Sequence, residues 1–209
     1  CSEGNYAIIM NGPRGWSGPE YAQGWSFNVP TAEFYNSFED GDSRRDATVL
    51  DIEAFASATG ASYTEGYDHT GYFNNKYIPR AGESGGQTEL NYLTNFRIIR
   101  YSDVLLMAAE AYNRGGIDDG LAQEFLNQVR RRAFGDDNHD ISASGTALTD
   151  AIWEERKFEL SLEGHRFFDL VRTGRASALI PGFTEGKHEV FPIPQQEVDI
   201  SGLTQNAGY

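Results

Sequence analysis

Apolar residues in the second half of the chain recur every three or four positions, which is the spacing of one face of an α-helix. A first helix is predicted over residues 98–112, and Gly115 and Gly116 end it. A second helix is predicted over residues 119–134. Because only a short turn separates the two, the pattern predicts a helical hairpin, the unit of TPR-like repeat scaffolds.

Charged residues in this half agree with the helical pattern. Asp118 and Asp119 stand at the start of the second helix and arginines 130–132 near its end, as the helix dipole favours. Two more helices are predicted over residues 147–163 and 165–171, each closed by a glycine. The second half is therefore predicted to be helical almost throughout.

The first 95 residues contain many turn-forming residues and aromatic rings but little helical periodicity. Eight of the eleven tyrosines and two of the three tryptophans lie there. Residues 31–38 are predicted to form a short helix with Thr31 as its N-cap, and residues 6–10 a short strand. The remainder is predicted to be loop, and loops of this composition either pack over a scaffold or display their rings for binding.

These patterns together predict a mainly α fold made of two regions. Residues 1–97 form a loop-rich, aromatic-rich region that is predicted to face a ligand and contains one short helix. Residues 98–209 form a helical region, with a TPR-like hairpin and further packing helices.

The charge of the chain excludes several classes of function. Seventeen basic and 31 acidic residues give a net charge of −14, whereas phosphate contacts need a basic face, so nucleic-acid binding is not expected. The longest strictly apolar run, residues 104–109, is too short to span a bilayer. A single cysteine, Cys1, excludes an internal disulfide framework and a cysteine zinc site.

A run of glutamates on the third predicted helix is the most charged part of the chain. Glu155, Glu159 and Glu163 lie four residues apart and share one helix face, where like charges repel each other. Neighbouring arginines can neutralise them, so we predict a structural ion-pair network rather than a catalytic site. Its predicted members are Arg130, Arg132, Glu155, Arg156, Glu159, Glu163, Arg166 and Asp169. A metal or acid–base site with His165 is the alternative, but the Glu-x-x-His spacing of di-iron bundles is absent.

Other catalytic and metal patterns match the sequence poorly. The loop after the second helix has Asp136, Asn138 and Asp140 at calcium-loop positions one, three and five, but Ile141 replaces the glycine and Ala147 the glutamate. A solvated loop is therefore the better interpretation, and no metal or cofactor is predicted. The Gly-x-Ser-x-Gly elbow is also absent. Because a glycosidase needs only two carboxylates, 31 acidic residues leave that enzyme class open as an alternative.

Two groups of aromatic residues in the first region suit the recognition of a sugar. Flat rings stack on the C–H faces of a sugar, while nearby polar side chains bond its hydroxyls. The predicted ligand-binding residues are Arg14, Trp16, Tyr21, Tyr63, Tyr67 and Tyr72. Trp16, between Gly15 and Gly18, is predicted to be the most displayed ring. The alternative is that these rings pack over the helical scaffold.

Eight stretches of the chain resemble, in the same order, motifs of the SusD/RagB family of outer-membrane nutrient-binding lipoproteins. The stretches are PTAEF at 30–34, FEDGDSRR at 38–45, RYSDVLLMAAEA at 100–111, LNQVRRRA at 126–133, ERKFEL at 155–160, EGHRFFDLVR at 163–172, FPIP at 191–194 and QNAGY at 205–209. One departure is Ala207, which stands where the family usually has proline. The resemblance places both regions of the chain in one SusD-like domain.

The resemblance implies a binding function without catalysis. In such proteins the charged motifs belong to the packing of the TPR-like scaffold, so no catalytic residue is expected. The family captures an oligosaccharide, or in RagB-like members a peptide, at the surface of the outer membrane. The ligand then passes to a SusC-like TonB-dependent transporter, the expected partner. The binding loops vary within the family, so no individual binding residue is carried over.

The resemblance also bears on the length of the chain. Members of the family are more than twice as long, so the 209 residues resemble the C-terminal part of such a lipoprotein. The N-terminal remainder of the same protein is then a further expected partner. Cys1 is interpreted as a truncation or cleavage boundary rather than as the lipid-bearing residue, with the anchor outside this segment.

Overall fold

A computed structural model of the chain describes residues 6–84 and 91–209. Cys1 and its interpretation therefore lie outside the described residues. The chain divides into two compact units, Cys1–Glu163 and Gly164–Tyr209, which are described separately below. Among the described residues, no helix has both the length and the apolar character needed to cross a membrane.

The described residues form nine α-helices and four short strands. The helices are α1 (Ala32–Asn36), α2 (Arg44–Thr48), α3 (Ile52–Thr59), α4 (Tyr101–Arg114), α5 (Asp119–Phe134), α6 (Gly145–Glu159), α7 (Arg166–Arg172), α8 (Ala176–Leu179) and α9 (Gln195–Ser201). The strands are β1 (Arg14–Ser17), β2 (Val49–Asp51), β3 (Ser62–Thr64) and β4 (Tyr72–Asn74). The prediction of a mainly helical fold with a TPR-like scaffold is confirmed.

Helices α4 and α5 form the predicted hairpin, and α6 packs against both. Their apolar faces enclose the larger core of the first unit, which consists of Leu105, Leu106, Ala109, Ala122, Leu126, Val129, Leu148 and Ile152. Local signals fix both ends of α5. The side chain of Asp118 accepts a hydrogen bond from the amide of Leu121, and Gly135 takes a left-handed conformation with φ of +83°.

The first region contains more regular structure than its sequence predicted. Strand β1 pairs with β3 and β2 with β4, both antiparallel, and a second core lies beneath them. The prediction that this region is loop apart from residues 6–10 and 31–38 is therefore wrong for α2, α3 and all four strands. Residues 6–10 form turns and the start of a 3-10 turn, Ile9–Asn11, rather than a strand.

The glycines around Trp16 explain why the strands of the first region escaped prediction. A Cβ on Gly18 would lie 2.4 Å from the Cβ of Ala61, and one on Gly15 would lie 2.5 Å from Oγ1 of Thr64. These glycines therefore permit the close approach of β1 to β3, and they do not mark a free loop.

Helix α6 ends four residues earlier than predicted. Its last residue is Glu159, and Leu162 has a φ of +62°, which a continuing helix does not allow. Glu163 consequently lies in a turn just beyond the helix. Its side chain shares one partner, Arg100, with Glu159, as described below.

The second unit contains three short helices and an irregular C-terminal segment. Phe167 on α7 packs against Phe183, with ring centroids 6.4 Å apart. The side-chain amide of Gln205 both accepts from the amide of Ile193 (2.8 Å) and donates to its carbonyl (2.7 Å). This pairing fastens the chain end alongside residues 191–194.

Candidate functional site

Glu159, at the end of α6, is the centre of a buried charge cluster. Its carboxylate accepts hydrogen bonds from Nη1 of Arg100 (2.7 Å), Nη1 of Arg44 (3.2 Å) and Nη2 of Arg132. Three arginines from α2, from the start of α4 and from α5 thus meet one carboxylate. The cluster therefore ties four segments of the first unit together.

Glu155, one turn earlier on the same face of α6, joins two of the same segments. Its carboxylate accepts from Nη1 of Arg44 (2.5 Å) and from Nη1 of Arg130 (3.0 Å). Asp42 holds the other edge of the Arg44 guanidinium at 2.6 Å. Arg156 points to the other side of α6, where its Nη1 donates to Asp103 on α4 (2.8 Å).

Glu163 extends the cluster beyond α6. Nε and Nη2 of Arg100 grip its carboxylate as a fork, both at 2.8 Å, and Nζ of Lys76 lies 2.7 Å away. Lys76 also donates to the carbonyls of Glu159 and Ser161, so the turn after α6 is held by one ammonium group.

The remaining predicted members of the network lie in the second unit. Arg166 and Asp169 are on α7, where Asp169 accepts from Nε of Arg172 at 2.7 Å. Five residues of the first-unit cluster were missed by the sequence reasoning: Asp42, Arg44, Lys76, Arg100 and Asp103. Residues 42–45 did carry a signal, since an acid and two arginines lie close together there. Nothing local showed that those side chains are buried against α6.

We expect acid to weaken this cluster. Burial alone would raise the pKa of Glu159 and Glu163, but hydrogen bonds from Arg100 and the charges of Arg132 and Lys76 lower both pKa values from the usual 4.5. A carboxyl group whose pKa is lowered by folding stabilises the fold, and this stabilisation is complete at a pH above the pKa of the unfolded chain. The stabilisation is lost as the pH falls through the pKa of the folded protein. The melting temperature should therefore decrease when the pH is lowered below about 4.5.

Thermal melts followed by circular dichroism between about pH 3 and pH 7 measure this dependence. The Glu163→Gln variant has one titrating carboxylate fewer, so its melting temperature should fall less steeply with acid. An equal fall in the two proteins would show that Glu163 does not contribute to the acid sensitivity.

A cavity of about 450 Å³ adjoins the charge cluster. Its charged lining consists of Arg44, Lys76, Arg97, Arg100, Arg132, Glu159 and Glu163. The cavity lies between the first region, the residue that precedes α4, and the helices α5 and α6.

The predicted ligand-binding residues do not form a single cluster. Trp16 and Tyr21 pack together with ring centroids 5.9 Å apart, and Tyr63 packs against the same core. Tyr21 is only 4% exposed, with Phe55 at 5.0 Å and Arg80 at 5.2 Å, so its ring has no free face for a ligand.

The prediction that Trp16 is the most displayed ring is wrong. The pairing of β1 with β3 turns its indole onto Phe55, at 6.0 Å between ring centroids, and leaves the side chain half-buried. Its indole N–H is buried with no hydrogen-bond partner in the part of the chain that the structure describes. Trp16 thus contributes to the second core, where packing explains its presence.

Two further candidate rings differ in exposure, since Tyr67 faces solvent and Tyr72 is half-buried. Tyr67, in the loop between β3 and β4, is 91% exposed. Tyr72 stacks on Tyr35 with ring centroids 4.5 Å apart, and the guanidinium of Arg45 lies 5.2 Å from the Tyr35 ring. Stacked tyrosines beside an arginine form a flat, partly polar surface of the kind that suits a sugar ring.

Arg14 belongs to a different part of the surface. Its Nε donates to the carbonyl of Trp25 (2.7 Å), and its guanidinium lies 5.6 Å from the centre of the exposed Phe27 ring. Trp25 in turn stacks on Tyr6 with centroids 5.3 Å apart. The loops therefore display rings in at least two places.

The acidic loop after α5 is engaged by the protein itself. The Asp140 carboxylate accepts from the guanidinium of Arg131, and Asp136 accepts from the amide of Asn138 at 2.9 Å. These hydrogen bonds explain the acidic residues of the loop as an ion pair and a local turn.

Comparison with known proteins places the chain among SusD-like sequences and folds. The model of the SusD family matches residues 46–189. SusD-like protein P2 of Formosa agariphila is 30% identical over 230 residues, covering 98% of this chain and 45% of the relative.

Two solved structures are similar over nearly the whole chain. A laminarin binding SusD-like protein is 43% identical with a TM-score of 0.85, covering 99% of this chain and 45% of that protein. Surface glycan-binding protein A from Bacteroides thetaiotaomicron, solved in complex with laminarihexaose, is 33% identical with a TM-score of 0.85, covering 99% and 47%. The chain thus spans less than half the length of each relative.

Proposed function

We propose, from the premise that this chain belongs to the SusD family, that it forms part of a non-catalytic surface protein that binds an oligosaccharide for import. One observation carries the proposal: the chain superimposes over 99% of its length on a laminarin-binding protein and on a glycan-binding protein solved with laminarihexaose. Laminarihexaose is therefore the first ligand to test.

The exposed Tyr67 and the half-buried pair of Tyr72 and Tyr35 are the proposed contacts. Tyr67 offers a free ring, and the Tyr72–Tyr35 stack offers a flat face with Arg45 beside it. Both lie in or next to the segment that joins β3 to β4. Because Trp16, Tyr21 and Tyr63 pack in the core below, we assign them a supporting role beneath these loops.

The charges of the buried glutamates support binding without catalysis. A glycosidase needs a carboxyl group whose pKa is raised, so that it is protonated and can act as a general acid. The arginines instead lower the pKa of Glu159 and Glu163. These two carboxylates are therefore suited to holding the scaffold together.

The partner and location of the protein follow from the same premise as proposals. The family suggests a SusC-like TonB-dependent transporter as the partner and the outer membrane, at the cell surface, as the location. Co-purification of a TonB-dependent transporter from membranes of the source organism tests both. We further propose that the N-terminal remainder of a longer protein completes the domain, since the relatives are more than twice as long as the matched part.

Replacing the exposed ring of Tyr67 is expected to weaken laminarihexaose binding. A ring that stacks on a sugar contributes about 1 kcal/mol, so Tyr67→Ala should raise the dissociation constant about fivefold. Tyr72→Ala should act in the same direction and further disturb the stack on Tyr35. Isothermal titration calorimetry measures both constants.

Tyr101→Ala is the matched control, since this tyrosine is exposed on α4, away from the loops. It should bind laminarihexaose as the unmodified protein does. Equal affinity in all three variants would remove the tyrosines from the site. Release of shorter sugars from laminarihexaose by the pure protein would contradict the absence of catalysis.

A further inference from the structure

The cavity beside the charge cluster carries an excess of positive charge. Five cationic side chains line it, namely Arg44, Lys76, Arg97, Arg100 and Arg132, against two lining carboxylates, Glu159 and Glu163. Asp42 and Glu155 pair with Arg44 from outside the lining, so five cations meet four carboxylates in all. This excess occurs in a chain whose net charge is −14. The cavity is thus a local positive site on an acidic protein, and partial enclosure strengthens its attraction for an anion.

The inner cations of the cavity are already engaged. Arg100 uses all five of its N–H groups, on Glu159, Glu163 and Ser102. Lys76 uses all three of its protons on the turn after α6. Arg100 and Lys76 therefore have no donor left for a ligand.

The two outer cations differ from them. Arg132 is 55% exposed and makes one hydrogen bond, to Glu159, so four of its five N–H groups have no partner among residues 6–84 and 91–209. The side chain of Arg97 makes no hydrogen bond to any described residue. Its guanidinium instead lies over the buried ring of Tyr77, 5.5 Å from the ring centre. The ring fixes the position of this arginine without using its donors.

We propose that Arg97 and Arg132 form a binding site for an anionic group carried on a saccharide. Guanidinium groups bind oxyanions through paired, charge-assisted hydrogen bonds, and a carboxylate or a sulfate ester supplies the acceptor oxygens. The volume of about 450 Å³ lies within the range of small-molecule pockets. The small side chains of Ala47 and Ala133 line the same space and leave room for a sugar ring.

This site extends the proposed glycan binding and rests on it for the saccharide part of the ligand. It lies apart from the tyrosines of the β3–β4 segment, since none of its lining residues is an aromatic ring of the loops. The protein would then hold a neutral part of a glycan on the tyrosines and recognise an acidic substituent at the arginines.

Calorimetry with three probes tests the site on the intact protein. The probes are a galacturonic acid trimer, which carries carboxylates, a sulfated laminarin oligosaccharide, which carries sulfate esters, and laminarihexaose, which is neutral. We expect at least one acidic probe to bind, with an affinity that falls as sodium chloride is added. Arg97→Gln and Arg132→Gln should each weaken that binding about tenfold, the size of a lost charge-assisted hydrogen bond.

Arg114→Gln is the matched control, because Arg114 is 50% exposed, lies on α4 outside the cavity and loses the same charge. It should bind the acidic probe like the unmodified protein. If Arg97→Gln binds the acidic probes as tightly as Arg114→Gln, or if neither acidic probe binds, the proposal is wrong. Inorganic sulfate that binds as tightly as the acidic sugars would overturn the saccharide part.

The neutral probe separates this proposal from the proposed function. Binding of laminarihexaose that is weakened in Tyr67→Ala but unchanged in Arg97→Gln supports glycan capture, whatever the acidic probes show. Arg97→Gln should also melt like the Arg114→Gln protein, because the Arg97 side chain makes no hydrogen bond to the described residues. Arg132→Gln removes one partner of the buried Glu159, so its melting temperature should fall slightly. If both arginine variants lose affinity for the acidic probe while Arg97→Gln keeps its melting temperature, the anion binds at the cavity.

Discussion

Glu159→Ala is expected to lower the free energy of unfolding by about 3–5 kcal/mol. The change leaves the buried Arg44 and the largely buried Arg100 without the carboxylate that they share, and the more exposed Arg132 loses it as well. Removing one partner of a buried ion pair is costly because the other charge stays desolvated. Urea unfolding followed by circular dichroism measures the difference.

Glu154→Ala provides the matched control for this prediction. Glu154 is the same residue type on the same helix, but its side chain is 44% exposed, against 2% for Glu159. Its pair with Lys157 is reached by solvent and contributes less than about 1 kcal/mol. The prediction fails if the two variants lose similar amounts of stability.

Leu126→Ala is expected to destabilise the protein by about 2–5 kcal/mol. Leu126 is 0% exposed and lies in the middle of α5, where it packs in the core shared with α4 and α6. Its truncation removes apolar contacts and leaves a cavity that the tightly packed hairpin cannot fill. The same urea titration gives the value.

Leu121→Ala, five residues earlier on the same helix, is the control for this truncation. Leu121 is 43% exposed, so the same loss of atoms should cost less than about 1 kcal/mol. A large effect at Leu121 together with a small one at Leu126 would mean that the hairpin core is elsewhere.

The helical half was predictable because its signals are local. Helix α5 begins and ends at the predicted residues, since Asp118 caps one end and a left-handed Gly135 ends the other. Its apolar face is also visible in the spacing of the residues. The strands of the first region could not be recognised from an alternation of apolar and polar residues. Each strand has only three or four residues, and its partner strand is distant in the sequence.

The candidate site was predictable only in part, for a similar reason. Three glutamates spaced four residues apart required cations nearby, and the sequence showed that much, although Glu163 lies beyond the end of the helix. The cations that meet Glu159 include Arg44, which lies 115 residues away, and no local pattern identifies such a partner. Trp16 shows the same limit, because a ring between glycines looks alike in a free loop and in a paired strand.

The placement of Arg44 and Lys76 has a consequence for how the molecule opens. These side chains reach from the first region to α6 and the turn after it, and their acceptors are buried carboxylates and carbonyls. Separating the first region from α6 would break all of these hydrogen bonds together, and it would leave Arg44 and Lys76 without the carboxylates that neutralise them. Residues 42–76 and the end of α6 should therefore exchange their amide protons in step, as one cooperative unit.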